Sequence, residues 1–417
     1  MSESSSSAVP STTATDPYAP FRHRDYRRFI AMVALTTIAQ QAQGVAIGWN
    51  IYERTGSALA LGWAGLAQFL PVFAFFLPAG QLADRHERRR IVVASLLVWS
   101  ASAALLAWAA WSRADVGWIY FALTCIGAVV VVNRAARDAL LPQLLPQSML
   151  VAAVTWNSSV FQIASVSGPV IAGFLIAWTG NATTVYLANL VCILLSAGLV
   201  VSIRHRPLTH TRPPASWMEM FAGLTHVWRT KVVWAMMVVD LVAVLLGGAT
   251  ALLPIYAKDI LAVGPAGLGW LSAAPAVGAA LMATTQTHRP PFRHAGSAFL
   301  WSVAIFGAAV VVFGVSRWFW LSFAALLVVG ASDNVSAVIR QTAVQLYTPD
   351  ELRGRVSAVN RVFISSSNEL GALESGMLAA ATGPVFTVVF GGVATLAIAA
   401  AGVRLFPDLR RLVSFAK

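Results

Sequence analysis

Four acidic residues stand inside long apolar runs of this chain: Asp240, Asp333, Glu369 and Glu374. An ionisable side chain at the centre of a bilayer costs at least about 2.5 kcal/mol on insertion scales, so each is a candidate for holding a cation or carrying a proton. A carboxylate placed there without a partner can take up and release a proton near neutral pH. Asp333 falls about a turn and a half from the end of its apolar run and is discounted, whereas Glu374 lies nearest the middle of its own run. At 100° per residue Glu369 and Glu374 point about 140° apart, which separates them as two sites rather than one carboxylate pair. Arg361, eight residues before Glu369, shares nearly its face and could hold it ionised, leaving Glu369 a packing residue.

A second group is polar and uncharged: Gln40, Gln41 and Gln43 in the first apolar run, Asn157, Gln162 and Ser165 in the fifth. They are expected to line a cavity and hydrogen-bond a small molecule, or to bond helix to helix at about 0.6 kcal/mol each. In "SGPVIAG" (167–173), Pro169 removes a backbone hydrogen bond and kinks its helix, while Gly168 and Gly173 permit close packing.

The elements that must carry these residues follow from composition. The chain has 417 residues, 58% hydrophobic and only 11% charged, where a soluble domain is about a quarter charged. Windows of about 20 apolar residues, enough to cross a bilayer, fall near 29–49, 61–82, 91–112, 117–133, 154–178, 183–203, 232–256, 267–286, 297–315, 318–338, 358–381 and 385–405. The net charge of +12 would suit nucleic acid in a soluble protein. Its placement decides otherwise, because 25 of the 29 basic residues fall on one side of the twelve spans, and only Arg54, Arg113, Lys258 and Arg317 fall opposite. That is the positive-inside pattern of a multi-pass protein in the cytoplasmic (inner) membrane with both termini cytoplasmic. The fold class is therefore all-α and polytopic, with twelve transmembrane helices and no nucleic-acid partner.

A shift of 203 positions aligns Arg137 with Arg340, Pro146 with Pro349, Asn157 with Asn360, Gly168 with Gly371 and Gly173 with Gly376. Further up, "LGW" at 61 recurs at 268. Such repetition predicts two pseudo-symmetric six-helix bundles, 26–203 and 232–406. Around them stand a Ser/Thr-rich disordered cytoplasmic tail at 1–25, a basic cytoplasmic linker at 204–231 and a short tail at 407–417. Within the linker "SWMEMFAGLTHVW" spaces Trp217, Met220, Phe221, Leu224, Val227 and Trp228 as one apolar helix face, expected either to lie in the membrane interface or to extend the seventh span.

Between the second and third spans stands "GQLADRHERRR" (80–90). With the twelve-span architecture, this loop resembles the major facilitator superfamily, whose signature G-x-L-x-D-R-x-G-R-R-R is matched at Gly80, Leu82, Asp84, Arg85, Arg88, Arg89 and Arg90. Glu87 stands in the glycine position and puts the tight turn there in question. "YERTGSALALGWAGLAQFLP", "ARDALLPQLLPQSMLVAAVTWNSSVFQIASVSGP" and "VQLYTPDELRGRVSAVNRVF" are similar to the branch holding the enterobactin exporter and drug or macrolide effluxers. "SGPVIAG" resembles the fifth-span motif of drug and proton antiporters, with Ala164 where a further glycine is usual. The resemblance implies export of amphiphilic small molecules by alternating access with proton antiport. It also implies a latch in which Asp84 faces the N-terminus of the eleventh span and Arg88 pairs with Asp138. Arg89 and Arg90 read rather as topology anchors.

Other classes fare less well. No lysine follows a glycine, so no Walker A loop can be written and an ATP-driven pump is disfavoured. The seven histidines lack ligand spacing and the two cysteines, Cys125 and Cys192, sit inside spans, so no metal, cofactor or enzymatic chemistry is expected. An importer on the same fold and a non-transporting sensor stay open, as does the substrate; a monomer is expected. The latch makes one prediction. Asp84→Asn, at normal levels in the membrane, loses most transport, and a wild-type rate would remove the latch.

Overall fold

The computed structural model describes residues 16–204, 217–288, 293–406 and 409, with the side chains at 76, 77, 80, 81, 83–85, 217–222, 249 and 358 outside that description. Its helices are α1 (Arg24–Thr55), α2 (Ala58–Arg85), α3 (Arg88–Trp111), α4 (Gly117–Leu144), α5 (Leu150–Thr179), α6 (Thr183–Val201), α7 (Trp217–Arg229) and α8 (Lys231–Leu246). After them come the single turn α9 (Leu253–Ile255), then α10 (Gly264–Thr287), α11 (Ala295–Val315), α12 (Phe319–Leu346), α13 (Arg353–Thr382) and α14 (Pro384–Leu405). Local chemistry sets the ends. Ser57 caps α2 by accepting the Ala60 N–H at 3.3 Å, and α1 and α5 stop at Gly56 and Gly180 in the left-handed region.

Among the described residues eleven segments are long and apolar enough to cross a membrane, the composite Lys231–Ile260 among them. In that seventh span α8 ends at Gly247, and a 3-10 turn (Ala249–Leu252), α9 and a π-turn (Tyr256–Ile260) complete it. The twelfth crossing is α13, whose Arg353, Arg355, Arg361, Glu369 and Glu374 leave it outside that apolar set. Exposed tryptophans at 111, 118, 178, 318 and 320 gather at the ends away from the basic loops, as an interfacial belt does. Below, "basic face" denotes the side of the α2–α3 turn, and "opposite face" the side of this belt.

The pairing of helices repeats between halves. In the N-terminal bundle α1 packs on α5 and α6, α4 on α2 and α3, and α3 on α6; in the C-terminal bundle α8 packs on α13 and α14, α12 on α10 and α11, and α11 on α14. These are the same five contacts, first span for seventh and so on, so the internal repeat is a structural one. Across the halves, α2 meets α13 and α5 meets α10. Both contacts are made by glycines. A Cβ on Gly376 would stand 2.7 Å from the Gly62 Cα, and one on Gly173 would stand 2.8 Å from the Gly269 Cα. Only backbone-to-backbone approach fits there, the usual device where lipid offers no hydrophobic drive between helices.

Two boundaries move. The tenth apolar window ends at 338 and the eleventh begins at 358, yet α12 runs to Leu346 and α13 starts at Arg353. Arg340, counted above with the basic loops, is consequently inside α12 and only 6% exposed. In the linker, α7 forms as expected, but Leu224 and Val227 pack on Val233, Met237, Val344, Val356 and Val359 of the C-terminal bundle. His226 Nε2 lies 3.1 Å from the Tyr347 carbonyl, which fixes the helix on that bundle. The side chains of Trp217, Met220 and Phe221 lie outside the described residues.

The arginines that begin α3 reach other helices. Arg88 donates to the Ala139 carbonyl of α4 at 2.9 Å, and Arg89 donates from Nε to the Val200 carbonyl of α6 at 3.2 Å and from Nη2 to the Val201 carbonyl. From α1, Arg28 reaches the Ser202 carbonyl. The last carbonyls of a helix lack partners and carry its negative dipole end, so guanidinium groups satisfy both needs. Removing both donors with Arg89→Ala should lower stability by about 1 to 3 kcal/mol, read as an earlier thermal transition in detergent. Arg90→Ala, whose partner Glu87 sits 2.6 Å away on the surface, should change it little.

Candidate functional site

Between the two bundles lies a cavity of about 640 Å³. Gln40, Gln41 and Gly44 of α1, Gly65 and Gln68 of α2, Pro169 of α5, Thr250 and Ala251 of the seventh span, Ser272 of α10, and Asn368 and Glu369 of α13 line it. Pro254 roofs it against Gly48, where a Cβ would meet the ring at 3.0 Å. Toward the opposite face the glycine pairs close it, joined by the Tyr52 hydroxyl donating to the Asp259 carboxylate, with Lys258 Nζ 5.5 Å from the Tyr52 ring centre. More than half of the wall is apolar, and among the described residues Glu369 is the one ionisable group in the lining.

Several expected residues occupy these positions and several do not. Gln40, Gln41 and Gln43 all line the cavity; Gln43 is only 3% exposed, because its Oε1 also accepts from Trp99 Nε1 at 3.3 Å and Asn189 Nδ2 at 3.4 Å, tying α1 to α3 and α6. Ser165, Gln162 and Asn157 lie one to three turns below Pro169 toward the basic face, outside the lining. Depth, rather than helix face, removes them. Asn157 Oδ1 and Ser165 Oγ are buried without partners. Gly168 lets α5 approach α1, where a Cβ would fall 2.7 Å from that of Gln41.

The acids sort by depth. Because α13 begins at Arg353, its midpoint falls between Ser367 and Asn368, so Glu369 and not Glu374 is central. Glu374 lies outside the cavity lining, with the Ser375 hydroxyl donating to it at 3.4 Å. Arg361 is exposed, and among the described residues no ion pair joins it to Glu369, two turns away. Asp240 is not a free acid. It is 5% exposed and pairs with Arg340 Nη1 at 2.6 Å. Asp333, discounted from its place in the apolar run, stands 13 residues before the end of α12 and lines a smaller cavity of about 150 Å³. Asp333 is itself exposed, unlike its neighbours Ser332 and Asp240.

At the basic face, the side chains of Asp84 and Arg85 lie outside the described residues, and Gly80 falls inside α2. Arg88 does not pair with Asp138. The guanidinium donates to the Ala139 carbonyl instead, while the Asp138 carboxylate lies 3.9 Å from Arg137 Nε. The missing glycine also has an answer. His86 and Glu87 turn the chain at φ −122° and −60°, where any residue is at ease, and Glu87 binds Arg90.

A family model described as "Transmembrane secretion effector" matches residues 15–412. The chain belongs to this family of the major facilitator superfamily. Over 358 residues the transporter is 28% identical to the multidrug efflux pump Tap of Mycolicibacterium fortuitum, covering 81% of this chain and 85% of that one. It is 24% identical over 403 residues to the enterobactin exporter EntS of Shigella boydii serotype 18, covering 94% and 92%. Among solved structures it superposes on the peptide transporter POT in complex with sulfate with a TM-score of 0.72 at 12% identity, covering 94% and 96%. A bacterial homolog of the human lysosomal transporter Spinster gives a TM-score of 0.69 at 14% identity, covering 93% and 98%. The molecule is therefore a multi-pass membrane transporter, in a family of transporters and not of enzymes.

Closure at the opposite face rests on glycine. In a background lacking Cys125 and Cys192, with a single cysteine at Ala251, Gly173→Val should raise labelling by an impermeant maleimide added at the opposite face by about tenfold or more, since the clash with Gly269 disfavours the closed state. Unchanged labelling would show that this contact does not seal the cavity.

Proposed function

We propose that this transporter exports amphiphilic, cationic small molecules across the cytoplasmic membrane by alternating access, in exchange for protons, with its basic face in the cytoplasm. The observation that carries this reading is Glu369, the single carboxylate among the described lining residues, at mid-depth in a cavity of mixed apolar and amide walls between two bundles. An apolar wall gives an amphiphile somewhere to go, and a lone acid in low dielectric gives a cation a strong partner. Glutamines at 40, 41 and 68 add hydrogen bonds without added charge. Efflux by Tap and EntS supports the outward direction. The basic residues on one side support the orientation, and a monomer suffices because one chain supplies the whole cavity.

Glu369→Gln keeps shape and removes charge. In drug-hypersensitive cells, the wild-type chain should lower ethidium accumulation in a protonophore-sensitive way. Glu369→Gln should weaken that efflux by about tenfold, equivalent to about 1.4 kcal/mol of lost cation binding, and should spare uncharged substrates. Equal accumulation with and without the protein, across drugs and siderophores alike, would overturn the reading.

A further inference from the structure

Beside the central cavity lies the smaller one of about 150 Å³, inside the C-terminal bundle. Thr250, Ala251, Asn368 and Ala372 line both, so the two share a wall. Asp333 borders this side cavity and also a void of about 10 Å³ whose lining includes Asp240, Ser332 and Ser336, close to the volume that one water needs. From Glu369 a file of polar groups thus leads through Asn368 and Asp333 to Asp240 and ends at Arg340.

Charge within that file does not balance. Asp240 holds Arg340 at 2.6 Å, both are more than nine-tenths buried, and Arg340 Nε is buried without any partner. Among the described residues Asp333 has no ion pair. Of the two carboxylates facing one guanidinium, Asp240 is buried in the ion pair and Asp333 is exposed, so Asp333 is the one without a fixed charge partner that water can reach. The packed neighbours supply no such partner. Around the two small cavities α10 contributes Pro275, α11 contributes Ser302, Val303 and Phe306, and the seventh span contributes Asp240 with apolar and threonine side chains. On α13 the nearest titratable group is Glu369, itself acidic.

We propose that Asp333 is the proton site of the transport cycle, separate from the substrate cavity, and that Arg340 and Asp240 position it. A proton entering from the central cavity converts the Asp333 carboxylate to the neutral acid, and its release to water regenerates the carboxylate. The second carboxylate then competes for the uncommitted edge of Arg340. A substrate cation beside Glu369 raises the potential across the shared wall and disfavours the proton at Asp333, so that one charge replaces the other and the exchange becomes antiport. This mechanism rests on the exporter reading given above.

The test uses the purified full-length chain in liposomes, with ethidium as probe and the protonated-carboxyl stretch in the infrared as a readout that needs no substrate. Asp333→Asn should lose pH-gradient-driven ethidium accumulation by about tenfold or more, retain ethidium–ethidium exchange within about twofold, and lose a titrating carboxyl band that Glu369→Gln keeps. Asp333→Glu should restore accumulation and shift the midpoint of that band. Wild-type accumulation by Asp333→Asn, or a carboxyl titration that Asp333→Asn leaves unchanged, overturns the assignment. If the wild-type chain moves no ethidium, the exporter reading falls and the infrared titration alone decides the proton site. Should Asp333→Asn fail to fold, an unshifted midpoint in Asp333→Glu overturns it equally.

Discussion

Four glycines hold the halves of this molecule together at one face. Lipid tails are as apolar as leucine, so helices in a bilayer gain little by hiding apolar surface and much by approaching closely. Gly62 against Gly376, and Gly173 against Gly269, bring the two bundles to backbone distance at the opposite face. Everything below depends on that approach. Gly65 on Ala372 and on the Glu369 backbone lies about one turn beneath the first pair, and the cavity opens where larger side chains begin to hold the helices apart. The four positions are also related by the internal repeat, so duplication of one small-residue contact produced both seams.

Charges are managed in two ways according to depth. At the basic face Arg28, Arg88 and Arg89 end on backbone carbonyls at the ends of α4 and α6, where half-charges suffice because water and lipid headgroups share the task. Deep in the C-terminal bundle Arg340 takes a full carboxylate. Of the expected latch, the Arg88–Asp138 pair is not formed, and the side chain of Asp84 lies outside the described residues. The described side chains of the run of arginines near the second span brace the N-terminal bundle from within, and Glu87 belongs to the brace through Arg90.

Much of this was legible in the sequence. Twelve crossings, two halves and the break between them follow from apolar length, alternating basic loops and the repeat, because a bilayer imposes those lengths physically. Glu369 was legible as a charge in the wrong solvent. What was missed shares one cause. Apolar windows end where polar residues begin, but α12 and α13 run on past them, with Arg340, Ala343, Val344 and Val356 buried and Gln341, Gln345, Arg353 and Gly354 exposed. That error hid Arg340 among loop residues, placed Asp333 too near an end and shifted the centre of α13 toward Glu374. The repeat held a corrective signal, since Arg137 and Arg340 align. The second role of Gln43 had no such signal: a lining glutamine that also bonds Trp99 and one that does not look alike in one dimension.

Helix α13 also bears on how the molecule is made. The other crossings can each partition into lipid on their own composition, but α13 carries three arginines and two glutamates and falls short of that threshold. Most of its neighbours, α2, α7 and α8, precede it in the chain and supply protein walls in place of hydrocarbon. Biosynthesis therefore has an order built into it. The eleventh crossing is a late guest in a bilayer already furnished by its hosts, and the carboxylate at the heart of the cavity arrives only when there is a cavity to receive it.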